Sequence, residues 1–403
     1  MKKKWRRFLA CLSALLVMMS GSAAATEEVP EELKNLYAHS AVLMDGGSGR
    51  ILFGKNEEEV LPMASTTKIM TCILTLESGR QGEIAVASAN AAAQPKVHLG
   101  VRTGEEFYVE DLLYSLMLES HNDSAVMIAE HIGGSVEGFA AMMNEKAAQL
   151  GCVSTHFVTP NGLDATDGSG THSTTAADLA EIMRYCVSIS PQREAFLQIT
   201  QTRSYSFSNV EQSRSFSCQN HNAFMDMMEG VISGKTGFTS AAGYCYVCAL
   251  EDDGRLFIVA LLACGWPDNR TWKWRDAAAL LGYGKENYHN QTINCTEKPR
   301  TLTVEGGLSG DKNPWREAVV EAVPDTAAAS GKQYLLRDGE QIRSRLTIRK
   351  GLQAPVEKGE VVGRISYYLD DNLLEEYPFV TTASVPEKSF TDWLSWLWKA
   401  YTM

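Results

Sequence analysis

Positive charge is scarce in this chain: 37 Lys and Arg stand against 49 Asp and Glu, for a formal net charge of −12. Residues 1–25 carry five of those bases and no acid, so without them the net charge falls to −17. A chain of that sign repels phosphate backbones, which excludes nucleic acid as a partner. Long apolar runs are missing too. The run Phe8–Met19 is short for a bilayer span. It follows the basic stretch Met1–Arg7 and precedes Ala23-Ala24-Ala25, small residues of the kind a signal peptidase requires. Residues 1–25 are therefore read as a signal peptide, cleaved before Thr26, that sends the chain across the cytoplasmic membrane. Cys11 makes no lipobox, because too little apolar sequence precedes it and Phe8 stands where Leu is needed. Clustered metal ligands are also lacking. The eight cysteines after the signal are scattered, and Cys245 and Cys248 form a CxxC inside an apolar, strand-like run with no second ligand pair nearby. No metal site and no cofactor is expected, and the thiols are read as small buried hydrophobes.

What is present is enough for two domains. A chain of 403 residues exceeds one typical core. Ala41–Asp45 and Arg50–Phe53, separated by a Gly-rich turn, predict a β-hairpin. From Ser65 the apolar residues Ile69, Met70, Ile73, Leu74 and Leu76 recur at helical spacing, which puts Ser65 at a helix start. Asp111–Leu118, Asp123–His131, Val136–Leu150 and Ala176–Val187 read as helices, with loop over 151–175. Residues 198–218 alternate with Ser and Thr and read as strands. So do Val231–Gly237, Gly243–Leu250 and Leu256–Ala263, the last two joined by an Asp252-Asp253-Gly254 turn. Thr271–Leu281 reads as a closing helix. Strands at both ends of this region flank a helical middle, which predicts an α/β (α+β) sandwich with an antiparallel sheet and a helical subdomain over residues 26–288. Short strands at Thr301–Val304, Arg343–Ile348 and Val361–Tyr368 predict a small all-β domain over 289–384. In the tail, 385–403, Phe390, Trp393, Leu394, Leu397 and Tyr401 share one helical face, as in an amphipathic helix that lies on a membrane surface.

Ser65-Thr66-Thr67-Lys68 is the candidate reactive motif. An SxxK alone is weak, and the chain holds a second, Ser309-Gly310-Asp311-Lys312, without helical continuation. On a helix, residues i and i+3 share a face. A serine hydroxyl needs a nearby base, and a lysine can be that base only when burial or another cation lowers its pKa. A helix N-terminus adds free N–H groups suited to an oxyanion. Ser120-His121-Asn122 (SxN) and Lys235-Thr236-Gly237 (KTG, on a predicted strand) follow in order. A second SxN, Ser88-Ala89-Asn90, lies outside the helix junction that holds the first.

This ordered set is the signature of penicillin-binding proteins and class A β-lactamases. With Leu112–Glu130, Phe157–Leu163, Gly234–Thr239, Leu280–Gly284 and Ala354–Gly359, the chain resembles the low-molecular-mass penicillin-binding proteins, D-alanyl-D-alanine carboxypeptidases of the S11 peptidase type, over roughly residues 35–400. The resemblance implies that Ser65 attacks the D-Ala–D-Ala peptide bond of a peptidoglycan stem peptide and that Lys68 accepts its proton. It implies that Ser120 and Asn122 complete the hydrogen-bond network, and that Lys235 with Thr236 holds the terminal carboxylate. Gly237 lets the strand approach closely, and the N–H groups of Ser65 and Phe238 form the oxyanion hole. Three positions depart from the family pattern. His121 stands where Gly or Ala is usual, His98 lies in the loop before SxN, and Lys273 or Arg270 takes the place of the carboxylate-binding Arg.

A class A β-lactamase would need an ExxxN run between SxN and KTG, and no Glu in that interval has Asn four residues later. β-Lactams are therefore expected to acylate Ser65 and stay bound. A D,D-endopeptidase would share the motifs, but the β domain and the tail favour the carboxypeptidase. A non-catalytic wall-binding protein is disfavoured by three intact motifs.

Overall fold

The computed structural model describes residues 30–295, 297–325 and 333–402; the signal-peptide reading and Cys11 lie outside the described residues. Glu31–Leu33 forms a short 3-10 turn. From Tyr37 onward the chain forms one unit.

Its centre is a five-stranded antiparallel sheet. The strands are β1 (Ser40–Asp45), β2 (Ile51–Lys55), β3 (Val231–Thr239), β4 (Gly243–Asp252) and β5 (Arg255–Leu262), in the order β2-β1-β5-β4-β3. All six residues of β1 are buried, as are most of β4 and β5. Strands buried on both faces need cover on both faces. The helices α1 (Lys68–Glu77), α2 (Val109–Tyr114), α3 (Asn122–Gly133), α4 (Val136–Gln149), α5 (Ala176–Arg184), α6 (Arg193–Gln201) and α7 (Trp272–Asn287) build the helical layers. Of these, α5 and α7 both pack on β1, β4 and β5. The Asp252-Asp253-Gly254 turn forms as expected, with Asp253 and Gly254 both at positive φ, the geometry that suits a two-residue hairpin between right-twisted strands.

Two expectations need correction. Residues 198–201 are not strand: they finish α6, where Phe196, Leu197, Ile199 and Thr200 are buried along one helical face. The Ser/Thr alternation makes strands only from Ser204–Ser208 and Ser215–Gln219. Ser65 does not start an α-helix directly but lies in a 3-10 turn, Ala64–Thr67, that feeds α1. Cys245 and Cys248 are fully buried on β4, and burial raises the pKa of both thiols to about 12.

Beyond α7, the strands β6 (Arg300–Glu305), β7 (Ala318–Pro324), β8 (Ile342–Ile348), β9 (Leu352–Gln353), β10 (Val361–Leu369) and β11 (Asn372–Thr381) form a six-stranded sheet ordered β8-β10-β11-β7-β6-β9. It has its own core around Val320, Ala322, Val362 and Phe379. Arg50 on the β1–β2 hairpin reaches Leu335 O at 2.9 Å and pairs with Glu340, tying the regions together. The tail forms the helix α8 (Phe390–Thr402), none of whose residues is buried. Its Trp393 meets Trp315 edge-on at 4.5 Å. Among the described residues no helix is long and apolar enough to cross a membrane.

Candidate active site

The 3-10 turn before α1 sets the geometry of Ser65 and Lys68. Three residues per turn stacks i over i+3, and Lys68 Nζ stands 2.9 Å from Ser65 Oγ. Lys68 is fully buried. Its ammonium also reaches Asn122 Oδ1 at 3.0 Å and the carbonyl of Asn161. Burial, then the neighbouring Lys235, hold its pKa well below the usual lysine range, while Asp123 pulls the other way. A desolvated lysine beside a second cation is the form able to take a proton from serine.

Asn122 opens α3, and its Nδ2 donates to Pro95 O at 3.1 Å. Ser120, just before it, adopts the left-handed conformation at φ 66°. That is an uncommon backbone for a non-glycine residue and one that clusters at functional sites. It aims Ser120 Oγ at Lys235 Nζ, 2.9 Å away. Lys235 is buried on β3, and burial brings its pKa down to about 7. The three motifs thus meet: Ser65 and Lys68 from the turn, Ser120 and Asn122 from the helix junction, Lys235 from the strand.

Strand β3 is one of the two edge strands of the sheet. Its Gly237 lies against the turn so closely that a Cβ there would stand 2.9 Å from the Ser65 nitrogen and 3.1 Å from Met63 O. Glycine is required at that approach. Phe238 is exposed and packs on Tyr244 at 4.7 Å, and Thr236 lies between Lys235 and Gly237, half-buried.

The two rival cations separate. Lys273 is buried, bonded to the carbonyl of Arg270, and covered by the rings of Tyr244 at 4.7 Å and Trp274 at 4.5 Å. Burial lowers its pKa to about 8. Arg270 is exposed, on a loop that Trp266 ties to the β3–β4 turn through Nε1 and Ser240 O at 2.9 Å. His121 turns back to Ser115, with Nδ1 2.8 Å from its Oγ, and His98 bonds Gln94 O at 2.9 Å.

Asn161 is the contributor that the motifs alone did not reveal. Its carbonyl receives Lys68 and lies 3.4 Å from Ser65 Oγ. The available signal was Asn161-Gly162. Gly162 sits at φ 86°, and a Cβ on it would fall 2.0 Å from Ala64 O. A backbone carbonyl acts through position rather than residue type, so no side-chain pattern marks it.

The second SxxK does not assemble. Ser309 Oγ lies 2.7 Å from both Asp311 Oδ1 and Asn313 O, and Lys312 is exposed. In the second SxN, Ser88 caps a four-residue helix and Asn90 pairs with Glu130.

A mixed α/β fold carrying a serine beside a buried lysine, a Ser/Asn pair and a buried strand lysine defines a serine acyl-transfer enzyme of the penicillin-binding class. The chain belongs to the D-alanyl-D-alanine carboxypeptidase family, peptidase S11, whose profile matches residues 24–264. The profile of the penicillin-binding protein 5 C-terminal domain matches residues 336–387. It is similar to the D-alanyl-D-alanine carboxypeptidase DacD of Escherichia coli, with 30% identity covering 97% of this chain and 98% of that one. The same holds for DacF of Bacillus subtilis, with 25% identity over 96% and 97%. In three dimensions it is similar to penicillin-binding protein 5 from Haemophilus influenzae, with a TM-score of 0.66 and 25% identity covering 88% and 98%.

Proposed function

We propose that this protein removes the terminal D-Ala from peptidoglycan stem pentapeptides through an acyl-enzyme on Ser65. The observation that carries this reading is the buried Lys68, 2.9 Å from Ser65 Oγ and depressed in pKa by burial and by Lys235. Lys68 takes the Ser65 proton as Oγ attacks the penultimate D-Ala carbonyl. The developing oxyanion sits between the N–H groups of Ser65 and Phe238, at the helix start where unpaired donors favour negative charge. Lys235 and Thr236 hold the substrate carboxylate, and the peptide lies along the open edge of β3 as an added strand. Ser120, bonded to Lys235, relays the proton to the leaving D-Ala amine. Water then cleaves the ester, with Lys68 again as base. β-Lactams enter by the same attack. With no ExxxN glutamate between the SxN and KTG motifs, their acyl-enzyme persists.

The peptidase domain is taken as 26–288 and the β domain as 289–384. Residues 1–25 direct the chain outward, and the tail (385–403) lies on the outer face of the membrane. The exposed Phe390, Leu394, Leu397, Trp398 and Tyr401 support that placement, because interfacial helices carry Trp and Leu on the buried face.

A fluorescent penicillin and diacetyl-Lys-D-Ala-D-Ala test the activity. Wild-type protein is expected to label covalently and release D-Ala, and Ser65→Ala to do neither. Labelling that survives Ser65→Ala overturns the nucleophile. Deleting 390–403 is expected to move the protein from the membrane to the soluble fraction with its turnover unchanged. Retention on the membrane would place the anchor elsewhere.

A further inference from the structure

The mechanism leaves one buried titratable side chain unused beside the nucleophile. His172 is 2% exposed. It lies on the segment 171–174, which is laid between two loops. Thr174 exchanges backbone hydrogen bonds with Leu61, just before the nucleophile turn, at 2.8 and 2.9 Å. Ser173 does the same with His156, at the entry to the loop that holds Asn161, at 2.9 and 3.0 Å.

The imidazole repeats this bridge with its side chain. Nδ1 accepts the backbone N–H of Val158 at 3.0 Å and of Thr159 at 3.3 Å. Those donors can only donate, so Nδ1 is unprotonated and the ring proton is on Nε2. Nε2–H donates to Thr67 Oγ1 at 2.8 Å, and the Thr67 hydroxyl in turn donates to Ala64 O at 2.8 Å. Every donor and acceptor in this line is assigned. Burial first, then His156 and Lys68, hold the His172 pKa down to about 4, in keeping with the neutral ring that the bonds demand.

The two ends of that line are the parts that must not move. Ala64 sits at φ 48°, an uncommon backbone immediately before the nucleophile. The Val158–Leu163 loop delivers the Asn161 carbonyl to Lys68. A third contact locks the same loop to α1, Thr71 Oγ1 donating to Pro160 O at 2.7 Å. From this geometry we infer that His172 is a positioning residue for acylation: through Thr67 and the Val158–Thr159 amides it fixes the Ser65 turn relative to the carbonyl that orients Lys68. The inference rests on Ser65 being the nucleophile and Lys68 its base.

The test compares the penicillin acylation rate and thermal midpoint of wild type with those of His172→Phe, His172→Gln, Thr67→Val and the double variant His172→Phe/Thr67→Val. Misplacement of a reacting group by about 1 Å costs on the order of 10²-fold. His172→Phe keeps a ring of similar size and is expected to acylate slower by on the order of 10²-fold while still folded by circular dichroism. Thr67→Val breaks the same line and is expected to lose a similar factor. Because both act through one chain of bonds, the double variant is expected to be no slower than the slower single variant. His172→Gln, with one acceptor and one donor, is expected to recover part of the rate. If His172→Phe does not fold, Thr67→Val carries the comparison alone. Folded variants that acylate within a factor of about two of wild type overturn the proposal, since coupling through one network should exceed that. So does a rate loss that simply follows the thermal midpoint across the set, which would make His172 structural only. Ser65→Ala is run alongside. Labelling that survives it removes the nucleophile reading itself, whereas labelling lost there but unchanged in the His172 and Thr67 variants sinks this inference alone.

Discussion

The chain presents the same Ser-x-x-Lys spacing twice, and only one copy can do chemistry. At Ser65–Lys68 the backbone is a 3-10 turn running into a helix, the ammonium is fully buried, and the two side chains meet at 2.9 Å. At Ser309–Lys312 the serine is engaged by Asp311 and Asn313, Lys312 adopts φ 58°, and its side chain lies in water. Spacing brings a serine and a lysine together only when the backbone between them is helical. Nearness activates the lysine only when it is desolvated, because an exposed ammonium keeps its proton at neutral pH.

The sharpest way to break this comparison is to remove each lysine in turn. General-base assistance contributes roughly 10²–10⁴-fold. Lys68→Ala is therefore expected to slow penicillin acylation by a factor of that order, and Lys312→Ala to leave it unchanged. A loss of similar size from Lys312→Ala would show that spacing alone, without burial, suffices.

A second test uses pH and the other buried cation of the site. The folded-state pKa of Lys235 is lowered to about 7 by burial, whereas an unfolded lysine holds its proton to about 10.4. Between those values the unfolded chain binds more protons than the folded one, so stability rises with pH across that window. Below about pH 7 both states are charged and the cost of burying the ammonium is fully present. In the proposed mechanism activity runs the other way, because a neutral Lys235 would no longer attract the substrate carboxylate. From pH 7 to 9 the thermal midpoint of wild type is expected to gain on that of Lys235→Gln, while KM for diacetyl-Lys-D-Ala-D-Ala rises. A midpoint difference that stays flat over that range would show that Lys235 is not held in a desolvated site.

How much of this was legible in the sequence follows from the same contrast. Elements with a strong period were readable: the all-buried β1, the apolar face of α1, the Asp253-Gly254 hairpin turn. Local helical context picked the three motifs over Ser309, which has no helical continuation, and Ser88, which lies outside the helix junction. Residues 198–201 were misread because Ser and Thr alternation masked a helical face built on Phe196 and Leu197. The Asn161 carbonyl and the left-handed backbones of Ala64 and Ser120 were invisible because they are properties of the main chain. A loop folded back over about 90 residues of sequence leaves no local periodicity. His172 had no motif at all, only the burial and two-sided bonding that appear once the segments around it are packed.

The smallest expected effect concerns the carboxylate clamp, where spacing and burial again diverge. Lys273 falls at the position that the family pattern assigns to the clamp, yet its ammonium is bonded to the Arg270 carbonyl and enclosed by Tyr244 and Trp274. A cation placed between two rings gains from their negative faces and anchors the start of α7. Turning it toward substrate would forfeit those contacts. Arg270 is exposed on the loop that Trp266 fastens to the end of β3, and its guanidinium can pair with a carboxylate in two-point fashion. An exposed ion pair contributes about 0.2–1 kcal/mol, so Arg270→Gln is expected to raise KM for diacetyl-Lys-D-Ala-D-Ala by roughly 1.4- to fivefold with kcat unchanged. Lys273→Met, which keeps the apolar stem and removes the charge, is expected to lower the thermal midpoint and leave KM as it was. If instead Lys273→Met raises KM and Arg270→Gln does not, the buried lysine must swing out of its aromatic enclosure when substrate arrives, and the family position rather than exposure would identify the clamp.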